Sequence, residues 1–260
     1  MIRNQLFGFI ILLFSPFLCD AQSDTIWNQK NQNDLRHGYW RDYYPNGNLR
    51  YQGQFNNGKP FNVFKYYFNN GDLKTVLKYR SEKEAYAKHY YSTGEVMAEG
   101  KFVDRKKDSL WISYGANEIK LKEGFFKSGK KEGSWKTFFP DGRIAEEKFF
   151  EDDREEGDYV SYFPNGRIKQ KATYKSGLME GKTIFYDLKG NISIIGKYSK
   201  DAQDSSWTYY DEEGEVIKVL EYKKGKLLNP EAEEEIEIDT TKLIRKDTLE
   251  FEDLRGTIKP

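Results

Sequence analysis

The hydrophobic residues of this chain fall into short alternating runs that recur about every 24 residues. Each unit centres on a turn residue, numbered here as position 0. One apolar run lies at about −8 to −3 and a second at about +2 to +8, as in residues 39–44 and 49–55. Alternation with period two, bounded by Asn, Asp, Gly and Lys, predicts two β-strands in each unit, joined by a hairpin turn.

The turn residue is glycine in seven units and glutamate in the fourth. In chain order these residues are Gly47, Gly71, Gly94, Glu118, Gly142, Gly166, Gly190 and Gly214. A fixed period between 20 and 50 residues is typical of stacked repeats. We therefore predict an all-β fold, an extended single-layer antiparallel meander of about eight 24-residue hairpin repeats. Sixteen or so strands at their usual spacing give a ribbon on the order of 75 Å long.

Aromatic residues occupy the same positions in nearly every unit. Position −4 is aromatic in all eight: Tyr43, Tyr67, Tyr90, Tyr114, Phe138, Tyr162, Tyr186 and Tyr210. Position +8 is also aromatic throughout: Phe55, Tyr79, Phe102, Phe126, Phe150, Tyr174, Tyr198 and Tyr222. Position −7 is a large aromatic in six units, with Ala87 and Thr183 in the other two.

Position +6 is unusually small in five units: Gly53, Gly100, Gly124, Ala172 and Gly196. Glycine inside a strand weakens it unless another group must approach closely. We infer that an aromatic ring from a neighbouring strand lies over this bare backbone. Such cross-strand contacts would supply stabilisation that a second layer otherwise provides.

Residues 123–142 (EGFFKSGKKEGSWKTFFPDG) and 51–71 (YQGQFNNGKPFNVFKYYFNNG) resemble MORN repeats, in particular the MORN-variant family of YwqK-type antitoxins. The similarity extends over about residues 38–225. It implies an extended antiparallel meander with one hairpin per unit, and it implies an antitoxin that binds its toxin directly. Unit 4 departs from the pattern at Gly115 and Glu118, and unit 3 at residues 82–87, so we expect local irregularity there.

Composition agrees with a thin sheet. Hydrophobic residues make up 37% of the 260 residues and mean hydropathy is −0.86, which is low for a thick core, yet 16% aromatic residues argue against disorder. The formal net charge is zero, but residues 229–260 hold ten acidic and five basic residues. Lysines and arginines are interleaved with acids elsewhere, so a nucleic-acid partner is not indicated.

The N-terminus reads as an export signal. Arg3 precedes an apolar run at residues 6–18, and Ala21 and Gln22 flank the expected cleavage site. Lipidation of Cys19, the single cysteine, is the alternative. We therefore expect a periplasmic or secreted protein with no transmembrane segment in the mature chain. Aspartate-Ser/Thr triplets such as residues 108–110 resemble the O-glycosylation signal of exported Bacteroidetes proteins.

The expected organisation is a signal peptide at 1–21, an N-terminal lead or cap at 22–37, the repeat array at 38–228 and an acidic tail at 229–260. The alternation in residues 231–238 (EAEEEIEI) is compatible with one more strand, at about 236–244, that caps the sheet edge. A disordered acidic linker is the competing interpretation. A cap matters because an open sheet edge invites aggregation.

The sequence gives no sign of catalysis, a cofactor or a metal site. His37 and His89 occupy unrelated positions, and we interpret both as surface residues. The acidic run at 151–156 falls on a hairpin turn, where we expect a solvated tip rather than a calcium or glycosidase site. We therefore predict that the protein is not an enzyme.

The function expected from the residues is an exported binding or scaffold protein. Its binding residues would be the −4 row, and its partner a protein or an envelope polysaccharide. Packing within the sheet is the alternative role of that row. Neutralisation of a toxin by direct binding is the second function, implied by the resemblance. Assembly into a homo-oligomer is a further alternative that the sequence leaves open.

Overall fold

The computed structural model describes residues 25–232. The predicted signal peptide, the cleavage site at Ala21 and Gln22, the lipidation site Cys19 and the capping strand at 236–244 lie outside the described residues.

Within this range the chain forms one open sheet of 19 strands. The strands are β1 Gln29–Lys30, β2 Arg36–Tyr43, β3 Leu49–Asn56, β4 Lys59–Tyr67, β5 Leu73–Tyr79, β6 Glu84–Tyr90, β7 Val96–Val103, β8 Lys106–Tyr114, β9 Lys120–Lys127, β10 Lys130–Phe138, β11 Ile144–Glu151, β12 Arg154–Tyr162, β13 Ile168–Lys175, β14 Leu178–Met179, β15 Gly181–Tyr186, β16 Ile192–Ser199, β17 Ala202–Tyr210, β18 Val216–Lys223 and β19 Lys226–Leu227. Two short 3-10 turns, Ala116–Glu118 and Pro230–Ala232, are the only helical elements described.

Each strand pairs antiparallel with its neighbour in sequence, except that β14 and β15 both pair with β13. These two pieces act as one strand interrupted at Glu180. The eight-hairpin, single-sheet meander expected from the sequence is therefore confirmed.

The first turn of each hairpin closes around the turn residue. In unit 1 the backbone N–H of Tyr44 donates to the carbonyl of Asn48 at 2.8 Å, and Gly47 has φ of +87°. Unit 4 closes without glycine because Asn117 and Glu118 both adopt positive φ, at 56° and 54°. The irregularity expected there is thus confined to the turn.

The second turn of each unit bonds to the hairpin before it. The N–H of Gly129 donates to the carbonyl of Lys107 at 2.8 Å, and that of Gly225 to the carbonyl of Gln203 at 2.8 Å. The irregularity expected near residues 82–87 is present in the turn that precedes the first strand of unit 3, since residues 80–83 make a longer turn between β5 and β6. Bonds of this kind link consecutive hairpins along one side of the sheet.

Aromatic rings at −7 and +8 form a ladder on one face of the sheet, which we call the ladder face. Their contacts are mostly edge-to-face, with ring centroids 5.0 Å apart for Phe102–Trp111 and for Tyr198–Trp207. Cationic side chains cover several rings, and the Lys107 ammonium lies 4.3 Å from the Trp111 centroid. The buried residues of this one-layer protein lie mainly on this face.

Rings of the ladder lie directly over glycine backbone, as predicted. A Cβ added to Gly53 would be 2.5 Å from the Phe64 ring, far inside van der Waals contact. Gly100, Gly124 and Gly196 lie in the same way under the indoles of Trp111, Trp135 and Trp207.

Two other units place a small residue at −7 of the following unit. Leu77 lies at +6 opposite the small Ala87, which reverses the usual arrangement. Ala172 lies at +6 in the unit before Thr183, and the Thr183 hydroxyl donates to the Lys171 carbonyl at 3.1 Å. At Lys148 the +6 residue lies opposite the large Tyr159 instead, so the pairing of a small with a large side chain recurs along the array without being uniform.

A β-bulge at position −9 is a feature that the sequence interpretation missed. The residue there has positive φ in seven units: Gly38, Asn62, Ser109, Gly133, Gly157, Gly181 and Ser205. In β4 residues 62–64 together oppose Gly53, so the strand gains extra residues and local twist. Unit 3 has Ala85 instead, and the β5–β6 register runs without a shift.

His89 is half-buried, so its interpretation as a surface residue is wrong; His37 is exposed as expected. The His89 ring stacks on Trp111, with centroids 5.8 Å apart, and Nδ1 lies 3.0 Å from the Thr75 hydroxyl. Burial lowers the pKa of His89, and the charges of Lys107 and Lys74 lower it further.

Adding a methyl group beneath a ladder ring should destabilise the sheet. We expect Gly53→Ala to lower the free energy of unfolding by about 1–3 kcal/mol, because the Phe64 ring must move. Combining it with Phe64→Thr recreates the Ala172 and Thr183 pair. In urea denaturation, the double variant should therefore lose less free energy of unfolding than the two single variants lose together. Strict additivity would contradict the fit between position +6 and the ring.

His89 should make stability depend on pH in the mildly acidic range. Its folded-state pKa is below the ordinary value of about 6.5, so the unfolded chain takes up the proton first. The stabilisation is present above that ordinary value and is lost as pH falls through the lower folded-state pKa. Urea denaturation from pH 8 to 5 should show this loss for the parent and for His37→Gln, and a shallower one for His89→Gln.

Candidate functional site

The face opposite the ladder, which we call the open face, is built from the alternate positions of the same strands. Side chains in a strand point to opposite faces in turn, so residues at −8, −6, −4, +3, +5 and +7 share this face. Its side chains have no second layer above them within residues 25–232. It is therefore the broad surface that the fold offers for contact.

Four exposed apolar side chains cross the middle of the open face and make up what we call the open-face row. They are Tyr86, Leu110, Phe125 and Phe149, with 39% to 49% of each residue accessible. Leu110 and Phe125 are directly opposite each other in β8 and β9. Phe149 follows two strands further on, opposite Ser134.

Ion pairs border this row on the same face. The Lys88 ammonium lies 3.0 Å from the Glu99 carboxylate, and that of Lys136 lies 3.4 Å from Glu147. Neighbouring positions are thus charged but mutually neutralised. An apolar strip bordered by paired charges suits contact with another macromolecule better than chemistry on a small substrate.

The −4 row also lies on the open face, and most of it is partly buried. Phe138 is buried, whereas 45% of Tyr43 is accessible. The Tyr114 hydroxyl donates to a Glu99 carboxylate oxygen at 2.8 Å, and the Gln52 amide donates to the Tyr67 hydroxyl at 3.2 Å. The other members of the row, Tyr90, Tyr162, Tyr186 and Tyr210, are half-buried.

Glu99 is the electrostatic centre of this part of the face. Burial alone would raise the pKa of its carboxyl, but hydrogen bonds from Lys88, Tyr114 and Tyr86 outweigh that effect and hold the pKa below its usual value. Burial, followed by the bond to Glu99, raises the pKa of Tyr114 to about 12. Glu99 is therefore ionised and Tyr114 neutral at physiological pH.

The open-face row was missed by the sequence interpretation, although two dipeptides signal it. Phe125 is followed by Phe126, and Phe149 by Phe150. Adjacent residues of a strand cannot point to the same face, so only the second phenylalanine of each pair joins the ladder. The first must lie on the open face, where the repeat itself does not require an aromatic residue.

Among residues 25–232, no group of three or more potential metal-ligating side chains lies close enough to hold an ion. No helix in that part of the chain has the length and apolar character needed to cross a membrane.

Three segments match the family model described as MORN repeat variant, at residues 36–57, 131–152 and 155–176. Each matched segment spans two successive strands and the first turn between them. The curated proteins include no significant sequence match.

Two solved structures align with part of the chain. The crystal structure of TarM has a TM-score of 0.23 and 10% identity, and it covers 45% of this chain and 20% of TarM. A point mutant of S. aureus TarM in complex with fondaparinux, alpha-GlcNAc-glycerol and UDP has a TM-score of 0.23 and 9% identity, covering 43% of this chain and 17% of that one. The chain thus spans a fifth or less of these proteins, and likeness at this level carries no functional argument.

Proposed function

We propose that this chain is an exported, non-enzymatic binding protein whose open face holds another protein. The observation that carries the proposal is the open-face row, four large apolar side chains on β6, β8, β9 and β11 without cover from residues 25–232. Leu110 and Phe125 are in direct register at the centre of the row, and exposed apolar side chains grouped in this way mark interaction sites in soluble proteins. The MORN repeat variant segments support a binding role of the array, and the N-terminal signal pattern supports export.

A rigid repeat surface lowers the entropic cost of binding for such a protein. The row is fixed by strands whose other face is locked by the aromatic ladder, so little conformational freedom is lost when a partner binds. The paired charges beside the row can orient the partner without leaving an unpaired charge in the interface.

A second aromatic group lies at the N-terminal end of the open face and would suit an envelope polysaccharide. Tyr39 and Tyr43 are both exposed, and Trp27 packs against Tyr39 with centroids 5.8 Å apart. The Arg41 guanidinium lies 4.8 Å from the Trp27 centroid. Within the −4 row, Tyr43 is the residue we propose as a direct contact.

A toxin is one class of protein that the open-face row could hold. Its support is the resemblance to YwqK-type antitoxins, together with a surface that is apolar at its centre and charged at its border. Under this proposal neutralisation would occur by coverage of the toxin, since the chain itself would need no chemistry.

Replacing Phe125 and Phe149 with serine should abolish capture of the partner. The change removes apolar area from the open face while leaving the ladder rings Phe126 and Phe150 in place. Cross-linking in intact cells, followed by mass spectrometry, would compare the parent, F125S/F149S and a control. Leu188→Ser is a suitable control, because Leu188 is equally exposed but lies on a hairpin turn. An unchanged set of partners for the double variant would reject the proposal.

The hydrogen-bonded hydroxyl of Tyr114 should matter for stability, in contrast to that of Tyr210. We expect Tyr114→Phe to lower the free energy of unfolding by about 1–2 kcal/mol, because the Glu99 carboxylate loses a donor. Tyr210→Phe is the matched control, because its hydroxyl has no hydrogen bond within residues 25–232. Equal effects of the two changes in urea denaturation would show that the bond to Glu99 contributes nothing to the fold.

A further inference from the structure

Three exposed lysines lie together on the open face near the C-terminal end of the array, and we call them the lysine patch. They are Lys171 in β13, Lys182 in β15 and Lys197 in β16. Lys182 and Lys197 are directly opposite each other across two strands. Like charges in that arrangement destabilise a sheet. None of the three ammonium groups makes an ion pair with any residue of 25–232.

The surroundings of the lysine patch are apolar or already engaged. Ile184 lies opposite both Lys171 and Ile195, so two isoleucines lie between the lysines. The nearest acid by register is Asp204, opposite Lys197, and its carboxylate accepts a hydrogen bond from the Ser205 hydroxyl at 3.1 Å. The patch therefore combines three ammonium groups, with one carboxylate directly opposite Lys197, and aliphatic side chains.

The end of the described chain is held close to this patch. Asn229 bonds to the outer edge of β18 through its side chain, accepting from the N–H of Glu221 at 2.7 Å and donating to the carbonyl of Val219 at 2.9 Å. Strands β16 and β13 lie two and four strands away from β18. At the usual spacing those separations are about 10 and 19 Å.

The sequence that follows has the complementary chemistry. Residues 233–239 read EEEIEID, in which carboxylates alternate with isoleucine after an acidic start. Seven extended residues span roughly 23 Å, enough to reach from the anchored end across the patch. Net charge complements the patch as well, since residues 229–260 carry twice as many acidic as basic side chains.

We propose that residues 233–239 bind back across the lysine patch of the same chain. The carboxylates of Glu233, Glu235 and Glu237 lie on one side of the extended segment and neutralise Lys171, Lys182 and Lys197. The contact covers the C-terminal part of the open face and leaves the open-face row uncovered. It is therefore independent of the partner proposed above.

Zero-length carbodiimide cross-linking of the full chain tests this contact, because it joins a carboxylate only to an ammonium that touches it. We expect cross-links from Glu233–Glu237 to the patch about tenfold above those to Lys65 and Lys78, since the tail is tethered beside the patch. Those two lysines are matched controls, being exposed on the same face near its other end. Cross-links distributed evenly over exposed lysines would overturn the proposal.

Mixing isotope-labelled and unlabelled protein distinguishes contact within a chain from contact between copies. If labelled and unlabelled chains are cross-linked to each other at the frequency expected for random mixing, the contact lies between copies. That result would also overturn the proposal and would assign the patch to an interface between copies.

A second measurement does not need lysines as cross-linking groups, so it can be made on a variant that lacks the patch. Cleavage at Glu233–Glu237 by a glutamyl endopeptidase should accelerate about tenfold in K171Q/K182Q/K197Q, because the segment loses its ligands. The variant K65Q/K78Q should be cleaved at the parental rate. Equal rates for both variants would reject the proposal even where the patch variant is fully folded.

Discussion

The close approach of an aromatic ring to bare strand backbone is the constraint on which the rest of this structure depends. A single sheet has no second layer to exclude water, so each hairpin must bury its own apolar surface. Gly53 under Phe64 shows how this is done, because the absent side chain lets the ring lie against the peptide plane. The ammonium groups of residues such as Lys107 and Lys131 then lie over the outer side of the rings.

The same constraint explains why residues vary less on the ladder face than on the open face. Positions −7, +6 and +8 are constrained by the ladder, and a change at one can be matched at the position that faces it, as in Leu77 with Ala87. Positions −8 and +7 carry no such requirement, and their residues vary from lysine to phenylalanine along the array. Function is therefore most readily placed on the open face, where a residue can change without disturbing the ladder.

The sequence was sufficient to predict the number of hairpins, the single layer and the rings over glycine, because each depends on spacing that repeats in phase. The −9 bulge was missed because glycine, asparagine and serine all occupy it, and only their shared positive φ reveals it. His89 was misjudged because its burial depends on Trp111 in another unit. The open-face row was missed because it departs from the repeat, and attention to Phe125–Phe126 would have revealed it.

The side chain of Asn229 has a consequence for the behaviour of the protein at high concentration. By using its amide as a substitute for a neighbouring strand, it occupies backbone groups of β18 that a second molecule would need in order to extend the sheet. Hairpin ribbons of this kind would otherwise join end to end into filaments. One asparagine thus makes these two backbone groups of β18 unavailable to a second molecule, and it does so without any added bulk.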